Sequence, residues 1–383
     1  MQRRTVFGLG AAAVGSALTG AGMATTASSP ASAAPPGMTA WLRHRDTQRL
    51  KARLQRGIDP WTNAWDTLVA GSRQEKDLER AADTTKVEPL FYVGPYYETP
   101  PELLELSYRF RGDAHAAYRL ALGYAVTSDK RLAEAARSLI LRWQAIETFD
   151  PRDDTPLVWA NQFPEFCWAA EILRRTSPVW KHDDEAVFAD LVRRGLPLDP
   201  SHRTNNWGSW GVVLRMTSAA YLGDRAGFAS AADRWRELFD LQFDEHGWQP
   251  AETRRQNDVG NRGICYSHFN MHPLTLAAQL ASLNGIDLFG HRNPYGIGLG
   301  DAFHVMMRWT VDPVQFSRDT GYWPDEHECY RANGKAPSFN YGYGEILHQH
   351  FPDDNFVRLA TEDRPLSFNW TGSLLTITHG TLL

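Results

Sequence analysis

The chain has 383 residues, with 40 Lys and Arg against 45 Asp and Glu and a formal net charge of −5. That acidic balance argues against broad nucleic-acid binding, while leaving room for a locally basic cleft that takes an acidic ligand. Cys167, Cys265 and Cys329 are too few for a disulfide framework and lack metal-ligand spacing. Their simplest reading is three small, buried apolar residues, with one bridge plus one free thiol as the alternative. Fourteen Trp and thirteen Tyr point to a carbohydrate cleft, where flat rings stack on sugar faces.

In chain order, residues 1–33 read as a twin-arginine-type signal peptide. Arg3 and Arg4 precede the weakly apolar run Val6 to Ala21, and Ala31-Ser32-Ala33 supplies small residues for cleavage. The run holds four glycines and leads into Ser, Thr and Pro, which argues against a membrane anchor. Two arginines and no acid leave with it, so the mature charge is about −7. The expected product is secreted or periplasmic and free of the membrane. Residues 34–37 read as a linker and 38–383 as a single domain.

That domain has a helical period, and its helices come in pairs. Asp46 to Gly57 precedes Trp61 to Ala70, and Asp113 to Val126 precedes Lys130 to Ile146, with Asp129 as the N-cap between them. Phe166 to Arg175 pairs with Glu185 to Arg194, and Trp210 to Leu222 with Ala226 to Phe239. His272 to Asn284, Asp301 to Thr310 and Gly344 to Phe351 follow. The predicted fold is all-α, an (α/α)n toroid or incomplete barrel of paired helices. Leu374, Thr376 and Thr378 alternate, and predict a short β element at the C-terminus. Three long irregular stretches, Glu88 to Pro101, Gln242 to Cys265 and Val311 to Asn340, are expected to carry function.

Two helix starts hold the chemistry. The first is Thr204-Asn205-Asn206-Trp207-Gly208-Ser209-Trp210. Alone, it would read as an N-cap and two core tryptophans. The second runs from Gln249-Pro250 through Glu252, Arg254, Arg255 and Arg262 to Tyr266-Ser267-His268-Phe269-Asn270-Met271. Together the two segments resemble the alginate-lyase-like domain family of polysaccharide lyases. That family combines an Asn-Asn-His-Gly-x-Trp helix start with a later Gln-Pro, Glu, Arg and Tyr-x-x-Phe-Asn-Leu start.

The resemblance implies a helical toroid that cleaves uronate polymers by β-elimination. The C5 proton of a uronate is weakly acidic while the adjacent carboxylate keeps its charge, so an amide and a cation must neutralise that group. Asn206 matches the family's amide, with Asn205 beside it. Arg255 and Arg262 both qualify as the cation. Tyr266 matches the family's catalytic tyrosine, able to act as acid and, if activated, as base. Trp207 stands where the family has a histidine, and its indole can only donate. Either another histidine takes that role, with His268 the nearest candidate, or the reaction relies on Tyr266 alone, or catalysis has been lost.

The expected sugar contacts are Asn205, Trp207, Trp210, His202, Arg203, Tyr96 and Tyr97, with acidic polysaccharide as the partner. No cofactor or metal is expected; Asp325, Glu326, His327 and Glu328 read as a solvated cluster. Two alternatives stand beside the lyase. A glycoside hydrolase would need two opposed carboxylates from Glu98, Asp154, Glu165 and Glu252. A non-catalytic sugar binder would have kept the cleft and lost the family's histidine.

Overall fold

The computed structural model describes residues 37–96, 98–100, 104–255, 262–322 and 341–383. Helices dominate them: α1 (His44–Gln55), α2 (Trp61–Leu68), α3 (Ser72–Ala82), α4 (Glu105–Thr127), α5 (Lys130–Leu141) and α6 (Thr155–Gln162). Then come α7 (Pro164–Thr176), α8 (His182–Gly195), α9 (Asn206–Leu222), α10 (Arg225–Gln242), the single turn α11 (Pro250–Thr253) and α12 (Gly263–Leu283). The last are α13 (Leu299–Val311), α14 (Pro313–Thr320), α15 (Gly344–His350), α16 (Asp354–Asp363) and α17 (Leu375–His379). Strands β1 (Leu90–Phe91) and β2 (Thr148–Phe149) pair in parallel.

The toroid follows from two kinds of helix. α9 and α12 are buried on nearly every face, as a helix apolar all round must be. α5 and α10 carry one apolar stripe each and cover the inner helices from outside. Packing runs from α4 to α7, α9, α12 and α13 around the inside, with α5 against α4 and α10 against α9. Small buried residues let the inner helices approach closely, among them Ala116, Ala117 and Ala121 on α4 and Ala277, Ala278 and Ala281 on α12.

Several expectations need correction. The C-terminal β element is α17: Leu375, Thr376 and Ile377 are all buried against α2 and α15, so the alternation carries no one-sided burial. Pro273 lies inside α12 rather than in a first turn, and the helix starts at Gly263. α3, absent from the predicted helices, docks through Leu78 and Ala81 and through buried Asp77, held by Arg119 through bonds of 2.6 and 2.7 Å. Among the described residues, seven tryptophans (41, 143, 159, 168, 210, 235 and 309) are fully buried. The Trp excess therefore serves the core first: Trp41 stacks on Trp168 at 4.1 Å and Trp159 on Phe163 at 4.2 Å. Cys167 is free and buried, whereas Cys265 is disulfide-bonded, so the reading of three plain apolar cysteines fails.

α7 receives both ends of the described chain. Its buried Glu171 accepts the backbone N–H groups of Ala40 at 2.9 Å and Trp41 at 3.2 Å. Its buried Glu165 accepts Gly372 N–H at 3.0 Å, Ser373 N–H at 2.9 Å and the Ser373 hydroxyl at 2.8 Å, with His115 Nδ1 at 2.5 Å. Burial pushes the Glu165 pKa up, but His115 and Ser373 outweigh it, and the carboxyl sits below its ordinary value.

Glu165→Ala is expected to cost about 3–5 kcal/mol, the range for breaking a buried charged pair. Because the folded pKa is depressed, the Glu165 contribution is complete above the unfolded value of about 4.3 and fades as pH falls through the folded one. Urea unfolding of both proteins across pH should show the gap shrinking in acid; a gap constant with pH would exclude an ionised anchor.

Candidate active site

The site begins with the cap of α9. The Asn205 side chain accepts Trp207 N–H at 3.2 Å, starting the helix at Asn206, four residues before the predicted start. No side chain fits at Gly208, because an added Cβ would lie 2.1 Å from the Arg203 carbonyl oxygen. The loop that carries His202 and Arg203 is thereby pressed onto the first turn of α9.

Asn206 is buried and turned onto Glu252, the residue that the motif reading used only as a match. Its backbone N–H reaches Glu252 Oε1 at 2.9 Å, and its Nδ2 lies 3.0 and 2.9 Å from the two carboxylate oxygens. The oxygens of one carboxylate lie too close together to take both amide hydrogens linearly. The two oxygens therefore share one amide nitrogen, and neither hydrogen bond is linear if both hydrogens are engaged. Burial pushes the Glu252 carboxyl above its ordinary range, against the opposing pull of Asn206 and Arg255.

On the other side of Glu252 stands Arg255, with Nε 3.8 Å from Oε2. Its guanidinium lies over the half-buried Tyr266 ring, 4.4 Å from the centroid. Asn206, Glu252, Arg255 and Tyr266 thus form one continuous chain of contacts. Arg262 is the N-cap residue of α12. Gly263, next to it, would bring a Cβ within 2.5 Å of the Thr253 carbonyl oxygen, so α11 and α12 meet backbone to backbone.

A buried amide relay holds these helix starts in register. Asn270 Nδ2 donates to Gln249 Oε1 at 2.7 Å and to Gln242 Oε1 at 2.9 Å. Gln242 Nε2 donates to the Asn205 carbonyl at 3.1 Å, and Gln249 Nε2 to the Ser267 carbonyl at 3.2 Å. The Gln249 and Asn270 of the sequence motif are therefore structural.

The remaining predicted residues divide. Arg203 is exposed with its guanidinium 4.3 Å from the Trp207 ring, and His202 is exposed beside it. Burial pushes the Asp154 carboxyl up, against the smaller pulls of Tyr96 N–H and the Arg203 charge. Asp154 accepts that N–H at 2.6 Å, which brings the Tyr96 loop to this side of α9. The Tyr96 phenol is pushed up to about 12 by burial and a bond with Tyr108. Tyr97 and the cluster at Asp325, Glu326, His327 and Glu328 lie outside the described residues.

His268 is not a cleft histidine. It is fully buried, with Nδ1 2.9 Å from the Tyr343 hydroxyl and Nε2 2.9 Å from Thr310 Oγ1, and burial lowers its pKa to about 3. Trp210 is likewise core, stacked with His272 and Phe368, not a sugar platform. Tyr341 and Tyr343 are buried. Among the described residues, no three His, Cys, Asp or Glu side chains are grouped to hold a metal ion.

The family model described as alginate lyase matches residues 39–316. The chain belongs to the alginate lyase family. Relatives include an alginate lyase of Pseudomonas entomophila, 27% identical over 181 residues that cover 44% of this chain and 46% of that protein. Another, from Cobetia marina, is 29% identical over 126 residues, 33% of this chain and 31% of that one. The chain thus matches about half or less of the length of these curated alginate lyases. In three dimensions it is similar to alginate lyase A1-III of Sphingomonas species A1. The TM-score is 0.70 at 15% identity, covering 88% of this chain and 95% of that one. A tyrosine-to-phenylalanine form of A1-III complexed with a tetrasaccharide gives the same TM-score at 16% identity. An alginate lyase of Bacteroides ovatus gives 0.65 at 14%, covering 90% and 99%. These matches fix an α/α toroid as the family fold here.

Glu252→Ala should leave the Asn206 N–H buried without an acceptor, at a cost of about 1–3 kcal/mol. Urea unfolding checks it; unchanged stability would mean that Asn206 finds another acceptor. Gly208→Ala should be more destabilising than Gly223→Ala, although Gly223 has a left-handed φ of 74°, because an added Cβ at Gly223 meets nothing within 4 Å.

Proposed function

We propose that the protein is an exported polysaccharide lyase that cleaves a uronate polymer of the alginate type by β-elimination. The observation that carries this reading is the chain of contacts from Asn206 through Glu252 and Arg255 to Tyr266. It gathers an amide hydrogen, a cation and a phenol at adjoining helix starts, the set that elimination beside a carboxylate requires. Family membership and the likeness to a toroid solved with a bound tetrasaccharide support it. The Arg3-Arg4 leader supports export through a twin-arginine route.

In this mechanism the Asn206 amide and the Arg255 guanidinium neutralise the uronate carboxylate. Ionised Tyr266 takes the C5 proton, helped by the cation against its ring. The C5–H electrons form the C4=C5 double bond, the C4–O bond breaks, and Tyr266 returns its proton to the departing oxygen. Trp207 offers no base for the opposite face. Tyr266 therefore does both jobs, on a sugar whose C5 hydrogen and C4 oxygen share a face. Trp207, backed by Arg203, serves as a platform for a neighbouring ring.

The hydrolase reading loses ground because two of its candidate acids are committed elsewhere. Glu165 is anchored by Ser373 and His115, and Glu252 by Asn206. Ultraviolet absorbance on polymannuronate, polyguluronate, polyglucuronate and hyaluronan tests the proposal, since elimination alone creates the conjugated double bond. A rise on one polymer is expected; new reducing ends without a rise would replace the lyase by a hydrolase, and binding without either would leave a sugar binder.

Tyr266→Phe should abolish turnover while keeping substrate binding. Asn206→Ala should slow elimination on the order of 100-fold or more. Arg255→Ala should slow it far more than Arg262→Ala, and the reverse ranking would move the cation to Arg262.

A further inference from the structure

At the far end of α12 from Tyr266 lies a pocket that the proposed reaction does not use. Its volume is about 240 Å³, and Gln279 and Leu283 of α12 line it together with Arg45, Arg49 and Arg53 of α1. Gln279 follows Tyr266 by 13 residues, so the two stand about 20 Å apart at 1.5 Å of rise per residue.

Arg45, Arg49 and Arg53 recur every fourth residue and so share one face of α1, with Arg43 lining the same pocket from just before the helix. Among the described residues that line the pocket, one carboxylate serves this group. Asp46 lies 3.9 Å from both Arg45 and Arg49 and already accepts Arg43 N–H at 3.0 Å. Arg53 lies over the Trp61 ring at 3.8 Å. Like charges four residues apart weaken a helix, so this stripe costs stability. It concentrates positive charge in a concavity of a protein that is acidic overall. The Arg45 and Arg49 side chains are 60% and 68% exposed, open to a guest from solvent.

We propose that this pocket is a second, non-catalytic site for a carboxylated sugar, holding one uronate unit of a polymer away from the cleft. Guanidinium forks match a carboxylate, while the Gln279 amide and the Thr381 hydroxyl suit ring hydroxyls. At about 240 Å³ the pocket has room for a sugar ring, and an inorganic phosphate would leave much of it to water. The inference rests on the reading of the polymer as a uronate chain.

Calorimetric titration of the full-length Tyr266→Phe protein with a mannuronate tetrasaccharide tests it, beside the same protein carrying Arg45→Gln and Arg49→Gln. Two sites are expected in the first and one in the second, with the surviving affinity unchanged and the lost site weakened by added salt. One site in both proteins, or none in either, would overturn the proposal. So would tighter binding of inorganic phosphate than of the sugar at the lost site. A drop in thermal stability with unchanged stoichiometry would also overturn it, assigning the arginines to charge balance at the neighbouring helix ends. Wild-type protein that produces no double bond on any uronate polymer would sink the lyase reading alone, because the stoichiometry is counted without turnover.

Discussion

The candidate site depends on one buried carboxylate. Glu252 sits on a single helical turn and is removed from water, a position that penalises charge heavily unless donors surround it. Asn206 supplies those donors from α9 and Arg255 supplies a cation from the following loop. The same contacts that make Glu252 tolerable orient the amide and bring the guanidinium to Tyr266. Stability and the geometry of the candidate site are therefore coupled at this residue. The amide relay through Gln242, Gln249 and Asn270 extends the constraint, tying the end of α10 and the start of α12 to the cap of α9.

The parts of the site legible in the sequence are those whose residue type has a local signature. Asn205 could be read as a cap, whereas Asn206 and Tyr266 were named through their match to the family's two helix-start motifs. The choice between Arg255 and Arg262 was not legible, since sequence distance does not say which guanidinium folds back over a ring. Glu252 was visible as a motif letter, but its role depends on a contact across 46 residues. His268 misled for the opposite reason. Proximity to Tyr266 suggested the cleft, yet a helix turns by about 100° per residue, so a position two residues on faces elsewhere.

The same physics divides the fold. Amphipathic outer helices announced themselves through their period, while the short, charge-rich α3 was missed although Leu78 and Ala81 pack on the core beside the Asp77–Arg119 pair. Aromatic content pointed to sugars but was spent largely on packing. Trp207 is the informative exception: half-buried at a helix start with an arginine against its face, it sits where the family's histidine would stand.

The anchoring of both chain ends on α7 bears on the order in which the ring can be completed. Glu171 takes partners 130 and 131 residues upstream, and Glu165 takes partners 207 and 208 residues downstream. Contacts of such separation form late, because the loop they close must first lose its freedom. During synthesis, Glu165 is made long before Gly372 and Ser373 leave the ribosome, and until then its carboxylate lacks those donors. The nascent chain can build helix pairs one after another, but the clasp at Glu165 waits until Gly372 and Ser373 have been made.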